Sequence, residues 1–213
     1  MSGRSDLSKA PAVVLALKRM HRQKGRAQKQ AIPLTREVLE QLLAVCGYDD
    51  RGVRDAVLLR LGYESMRRRA EICRFRFEDL EVLPSGRAAL HLRFSKTDQM
   101  GLGKLIPISA DLLGLVEEWG KRTGGKGYLL RRINNLGVNG DAMNPASINR
   151  RLYQLQILAG LKLGGKLSGH SFRVGAALDL LEAGESLEKI MLRGGWRSED
   201  TVIQYLRAWQ AVS

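Results

Sequence analysis

The 213-residue chain is poor in cysteine, poor in aromatic residues (6%), and has no apolar run approaching the roughly 20 residues that a bilayer-crossing helix needs. Its two cysteines, Cys46 and Cys73, sit in apolar, helical-looking runs with no Cys-x-x-Cys or Cys/His spacing. That pattern argues against a zinc site and against a disulfide framework, and it fits a reducing compartment. No group of Asp, Glu or His has ligand spacing, so no metal is expected. The N-terminus is basic but lacks the apolar core and small-residue cleavage site of a secretory signal. Internal repeats and low-complexity tracts are missing too. The expectation is a soluble, cytoplasmic protein with no membrane segment.

Acidic residues are also in short supply. Asp and Glu number 22 against 35 Lys and Arg, a formal charge of +13, while 44% hydrophobic and 27% charged residues make an ordinary globular balance that excludes wholesale disorder. An excess of that size points to a polyanion as partner, nucleic acid first. It is concentrated at one end: Arg4, Lys9, Lys18, Arg19, Arg22, Lys24, Arg26 and Lys29, against Asp6 alone, give residues 1–31 a charge of +7.

The apolar spacing of residues 11–22 predicts a short helix, and the polar, basic stretch after it predicts a linker ending near Pro33. Thr35 can cap a helix through Cys46 with Leu39, Leu42, Leu43 and Cys46 on one face. Asp49 or Asp50 can cap the next, interrupted at Gly62, with a further short helix over residues 66–74. The period then changes. Leu80–Leu83, Ala88–Phe94 and Lys104–Ile108 predict a small antiparallel sheet, divided by Pro84-Ser85-Gly86 and by Gly101-Leu102-Gly103. Helical pattern returns over 109–122, followed by a glycine-rich turn at 124–127. Further helices are expected from Asn144 or Ser147 to about Leu158, then over 169–183, 186–193 and 198–209, the last capped by Ser198. The fold class is α+β, mainly α-helical, with one three-stranded antiparallel sheet inserted after the third helix.

Five segments can carry chemistry. In Ser168-Gly169-His170-Ser171-Phe172-Arg173, a cap at Ser168 places His170 in the first turn and Arg173 one turn on, on the same face. The free N–H groups of a helix start favour an anion, and an imidazole and a guanidinium beside them make a phosphate pocket with an acid/base group. A capped helix with a surface arginine and a half-buried histidine would read the same way. Gly194-Gly195-Trp196 offers a tight turn and a non-ionising indole donor. Tyr205 lies mid-helix, either as amphipathic packing or as a nucleophile toward a phosphodiester. Arg67, Arg68 and Arg69 point about 100° apart on a helix, so at most two can aim at one place. Lys96, at the tip of the β-hairpin, is either a solubilising charge or a general acid.

The ordered set of Arg, Lys, His-x-x-Arg, Trp and Tyr resembles the tyrosine recombinases, the phage integrase family. The matching blocks are RRAEI, SKT, SGHSFRVGAA, KIM with GGW, and QYLR, in family order over residues 35–209. The resemblance implies a tyrosine-recombinase catalytic domain over residues 34–213, acting on double-stranded DNA in the cytoplasm of a bacterial host cell, at its nucleoid. In the family the first arginine stands three residues before the glutamate of its block, which selects Arg68 and leaves Arg67 and Arg69 as backbone-phosphate contacts or surface charge. Catalytic roles are then implied for Arg68, Lys96, His170, Arg173, Trp196 and Tyr205, with Glu71 in support. The two arginines would clamp the scissile phosphate. Tyr205 would attack phosphorus to leave a 3′-phosphotyrosyl link, Lys96 would protonate the 5′-oxygen, His170 would assist proton transfer, and Trp196 would donate to the phosphate. No cofactor and no metal is implied, because the phosphotyrosyl bond conserves the energy of the broken one.

Two features depart from the family pattern. Residues 1–33 are too few for the usual core-binding domain, so they are expected to be its last helix and linker, and the chain a fragment rather than a minimal enzyme. Only eight residues follow Tyr205, fewer than the extension that docks on a neighbouring protomer. A tetramer on DNA is implied for the full-length protein, with weak or no self-association expected for this chain. Two other functions fit the same residues: relaxation of DNA in the manner of a type IB topoisomerase, and DNA binding without cleavage.

Overall fold

The structure, a computed structural model, describes residues 31–93, 103–135, 137–199 and 202–203, and these lie in the unit that begins at Ala31. The helix expected over residues 11–22 and the residues Lys96 and Tyr205 lie outside the described residues.

Helix α1 (Arg36–Ala44) opens at Thr35, whose extended backbone starts the helix without a side-chain cap bond, and it buries Leu39 and Leu42. Helix α2 (Asp50–Ser65) is capped by Asp49, whose carboxylate accepts from the Gly52 N–H at 2.8 Å. The interruption expected at Gly62 does not occur. The ring of Phe172 lies against this glycine, so close that a Cβ would sit 2.5 Å from its Cε2, and the helix continues past it to Ser65. Met66 then turns the chain in the left-handed region (φ 51°, ψ 28°). The helix predicted over 66–74 is consequently short. Helix α3 covers only Arg69–Ile72, with Arg68 as its N-cap and the Glu71 carboxylate accepting from the Arg68 N–H at 3.1 Å.

A 3-10 turn at Phe77–Asp79 leads into the sheet, β1 (Leu80–Val82), β2 (Ala88–Leu92) and β3 (Lys104–Ile108). The order is β1-β2-β3, antiparallel throughout, with Leu80 opposite Leu90 and Leu90 opposite Ile106. This is the three-stranded sheet the sequence predicts, in the predicted place. Helix α4 (Ala110–Thr123) is capped by Ser109, and its fully buried Trp119 donates its indole N–H to Leu129 O at 2.7 Å. A second antiparallel hairpin, β4 (Arg131–Asn134) and β5 (Gly137–Ala142), follows and has no counterpart in the sequence expectation. Helix α5 (Pro145–Leu158) is capped by Asn144 and starts on proline, whose missing N–H costs nothing at that position. Helices α6 (Gly169–Glu182) and α7 (Leu187–Gly194) complete the order, and Glu199, Val202 and Ile203 are helical beyond them.

Two apolar clusters hold these elements. The larger gathers Leu39, Leu58, Phe75, Leu90, Trp119, Leu152 and Phe172. The smaller joins Met66 to Val174 and Leu178 of α6, Ile190 of α7 and Val202. It therefore ties the start of the last helical stretch to the helix that carries His170 and Arg173. A buried polar knot completes the packing: Asp55, with no exposed surface, accepts from Arg54 at 2.7 Å and from Arg151 at 2.5 Å, joining α2 to α5. Both carboxylate oxygens are engaged, which offsets the cost of removing the charges from water. Among the described residues no helix is long and apolar enough to cross a membrane.

Candidate active site

The start of α6 sets the geometry. Ser168 has an extended backbone, its Oγ accepts from the His170 N–H at 3.3 Å, and its own N–H donates to Ser171 Oγ at 2.9 Å. The first turn of α6 thus carries His170, and Arg173 follows one turn later on the same side. A cavity of about 520 Å³ opens over this helix start, lined by Arg68, Arg69, Asn149, Ser168, Gly169, His170, Arg173 and Trp196. Four of the residues singled out from sequence, Arg68, His170, Arg173 and Trp196, therefore meet although more than a hundred positions separate the first from the rest. Glu71 lies behind them, and Lys96 and Tyr205 lie outside the described residues.

Arg173 is almost fully buried, and its role is legible in its contacts. One guanidinium nitrogen donates to Met66 O at 2.6 Å and to Gly194 O at 3.0 Å, and the guanidinium carbon lies 4.3 Å from the centre of the Trp196 ring. Trp196 thus presents its face to the cation, an attraction that adds to the hydrogen bonds. The left-handed turn at Met66 aims that carbonyl at Arg173, so backbone strain is kept where the site needs an acceptor. Arg68 differs: its side chain is 43% exposed and one nitrogen reaches Glu71 Oε1 at 3.3 Å. A carboxylate that is only 8% exposed holds this arginine from behind, leaving the guanidinium at the cavity wall.

Arg67 corrects an expectation. It is neither surface charge nor a backbone-phosphate contact. It is 3% exposed, donates to Ser65 O at 3.2 Å and to Arg193 O, and burial pulls its guanidinium below the ordinary value. Arg69, its neighbour but one, lines the cavity. Asn149 was not singled out from sequence. Its Oδ1 accepts from the Gly169 N–H at 2.9 Å and so pins the first residue of α6 to α5. The signal was faint: one polar residue beside Ile148 and Leu152, both buried.

The cavity is electropositive: the side chains of Arg68, Arg69 and Arg173 line it, and the positive end of a 14-residue helix opens onto it. It suits a tetrahedral oxyanion with an acid/base group at hand. Burial first, then the charges of Arg173 and Arg68, hold the His170 imidazole below its ordinary value of 6.5. The folded protein thus favours the neutral ring. That contribution to stability is present above the unfolded value and is lost as pH falls through the lower folded one. In an NMR titration of the DNA-free protein, with the resonance assigned by a His170→Gln variant, the His170 midpoint is expected below 6.5. A midpoint at or above 6.5 would contradict the electrostatics of the cavity. Among the described residues no group of His, Cys, Asp and Glu could hold a metal ion.

A mainly helical fold with a cavity of arginines, histidine and tryptophan at one helix start has the makings of an anion-binding site. The sequence model of the phage integrase family matches residues 33–211, and the chain belongs to that family. It is 30% identical to the Cre recombinase of Escherichia phage P1 over 97% of this chain and 66% of the relative. It is 28% identical to an integrase/recombinase XerD homolog of Selenomonas ruminantium over 96% of this chain and 62% of that protein. The chain thus spans no more than about two thirds of the length of either relative. Among solved structures, the XerA recombinase superposes with a TM-score of 0.66 at 17% identity, covering 91% of this chain and 69% of that one. XerH bound to a palindromic difH substrate, in a post-cleavage complex, gives 0.66 at 19% identity over 84% of this chain and 50% of that one. A lambda integrase dimer bound to a COC′ core site gives 0.64 at 15% identity over 92% and 70%. At these identities the structural likeness shows the fold.

Proposed function

We propose that this chain supplies the catalytic part of a site-specific DNA recombinase that cuts and rejoins strands through a covalent 3′-phosphotyrosyl intermediate. The observation that carries it is the convergence of Arg68, His170, Arg173 and Trp196 on one cavity at the start of α6. The scissile phosphate binds there with its non-bridging oxygens toward Arg68 and Arg173, which stabilise the charge that grows as phosphorus becomes pentacoordinate. The Tyr205 oxygen bonds to phosphorus while the bond to the 5′-oxygen breaks. The phenolic proton passes to neutral His170, and the leaving 5′-oxygen takes a proton from Lys96. Glu71 keeps Arg68 extended toward the phosphate. Attack by a 5′-hydroxyl reverses the steps and joins a new partner, with no metal and no nucleotide cofactor.

Residues 1–33, with most of the net charge, belong in this proposal to the end of a second DNA-gripping element, and residues 34–213 to the catalytic domain. The working form is an assembly of several copies on double-stranded DNA in the cytoplasm. Relatives of the fold include a lambda integrase tetramer bound to a Holliday junction.

The test uses a pool of duplexes nicked near the centre, with randomised flanks, so that cleavage releases a short strand and traps the protein. Wild type is expected to give a DNA-linked species that survives denaturing electrophoresis, and Tyr205→Phe none. Salt-sensitive DNA binding with no adduct from any duplex would instead support a binding module. Relaxation of supercoiled plasmid irrespective of sequence would support a topoisomerase.

A further inference from the structure

Helix α7 ends in a compact reversal. Gly195 has φ 68°, its N–H donates to Leu192 O at 3.3 Å, and the Trp196 N–H donates to Met191 O at 3.0 Å. This is a Schellman-type stop, which fixes where the following chain departs. The last turn is also gripped from outside. Three successive carbonyls, those of Leu192, Arg193 and Gly194, accept from Lys104 of β3, Arg67 of the α2–α3 corner, and Arg173 of α6. Cations suit the negative end of a helix, but here they come from three separate elements and only Arg173 lines the cavity.

Arg67 is the singular member of the three. Its guanidinium is buried, its hydrogen bonds run to the carbonyls of Ser65 and Arg193, and one of its nitrogens lies where a Cβ on Gly195 would come within 2.5 Å. The side chain of Arg193 returns toward α2, with Nε 3.4 Å from Glu64 O. An apolar side chain of the same length would fill this space without removing a charge from water, so packing alone does not call for arginine. What arginine adds is a fixed tie between the corner that carries Arg68 and the turn that launches Trp196.

We infer that Arg67 is a positioning residue for strand cleavage: by holding Arg193 O and supporting Gly195 from below, it sets the register between the Arg68 side of the cavity and the segment from Trp196 onward. Tyr205 follows Gly195 by ten residues in the sequence, and on the recombinase reading the rate of cleavage is therefore expected to depend on this register. The inference rests on the recombinase reading for its effect on rate, but not for its effect on the turn.

Two readouts on the whole chain separate the cases, using Arg67→Met and Arg67→Lys. In hydrogen exchange, Arg67→Met is expected to speed exchange of the amides of Gly195–Glu199 by about tenfold or more while α2 and α6 keep their protection. On the nicked duplex pool, it is expected to lower single-turnover adduct formation by about 10- to 100-fold, the scale of a catalytic group misplaced by about 1 Å. DNA affinity should stay within about twofold, because Arg67 reaches no phosphate. Arg67→Lys, which can still donate to Arg193 O, is expected to recover part of both. Wild-type exchange and rate in Arg67→Met would overturn the inference. So would protection lost throughout α2 and α6, which marks a general core residue, or a loss confined to DNA affinity, which marks a DNA contact. If wild type forms no adduct with any duplex, the recombinase reading falls, and exchange at Gly195–Glu199 alone decides the positioning.

Discussion

Arg173→Ala is expected to cost both the reaction and much of the fold. The substitution removes the donor shared by Met66 O and Gly194 O, leaves both carbonyls short of it in a buried setting, and takes away the cation stacked on Trp196. Hydrogen bonds to a charged group and a desolvated cation–aromatic contact together put the loss at about 3–5 kcal/mol of folding stability. The rate of adduct formation should fall by about a thousandfold, since removing even one well-placed oxyanion donor costs a hundredfold or more. Arg173→Lys separates the two effects. An ammonium keeps the charge but cannot serve two carbonyls and a phosphate from one planar fork. It should recover most of the stability, measured by urea unfolding, and little of the rate. Equal recovery of both would show that Arg173 acts on the fold alone.

The second large effect is expected at Gly175, in the middle of α6. A Cβ there would lie 1.9 Å from Leu34 O and 2.1 Å from Leu34 C, backbone atoms of the segment that leads into α1. The same segment is held to α6 by the Leu34 N–H donating to Ser171 O at 3.0 Å. Glycine to alanine inside a helix normally gains up to about 1 kcal/mol. Gly175→Ala is instead expected to lose about 3 kcal/mol or more, because backbone cannot move aside as a side chain can. Gly62→Ala is the control. Its added methyl meets the ring of Phe172 rather than backbone, and a cost of about 1–3 kcal/mol is expected. Because α6 carries His170 and Arg173 in its first half, Gly175→Ala should also slow cleavage. Equal stabilities for the two variants in urea would contradict this packing.

Much of this architecture was legible in the chain because the signals were local. Asp49, Asn144 and Ser168 cap the helices they precede, and the short runs divided by turn residues at 84–86 and 101–103 announce the sheet. The β4–β5 hairpin was not legible. Among the described residues of 131–142, Ile133 and Val138 pack against the core, and the ladder carries a register shift, so there is little alternation to read. Gly62 looked like a stop because its partner, Phe172, is distant in sequence. The three arginines at 67–69 look alike as letters, and only the left-handed turn at Met66 sends the first inward, the second to the cavity wall and the third onto its rim. Asn149 was missed for the same reason: its hydrogen bond to Gly169 joins two helices whose contact no local pattern encodes.

The most direct measurement is to digest the trapped protein–DNA species with nuclease and protease and locate the nucleotide by mass spectrometry. A 3′-linked nucleotide on the oxygen of Tyr205, missing when Arg68 or Arg173 is replaced by alanine, is the result expected of two guanidinium groups clamping one phosphate within reach of that tyrosine. A nucleotide carried by any other residue, or joined through its 5′ end, would contradict it.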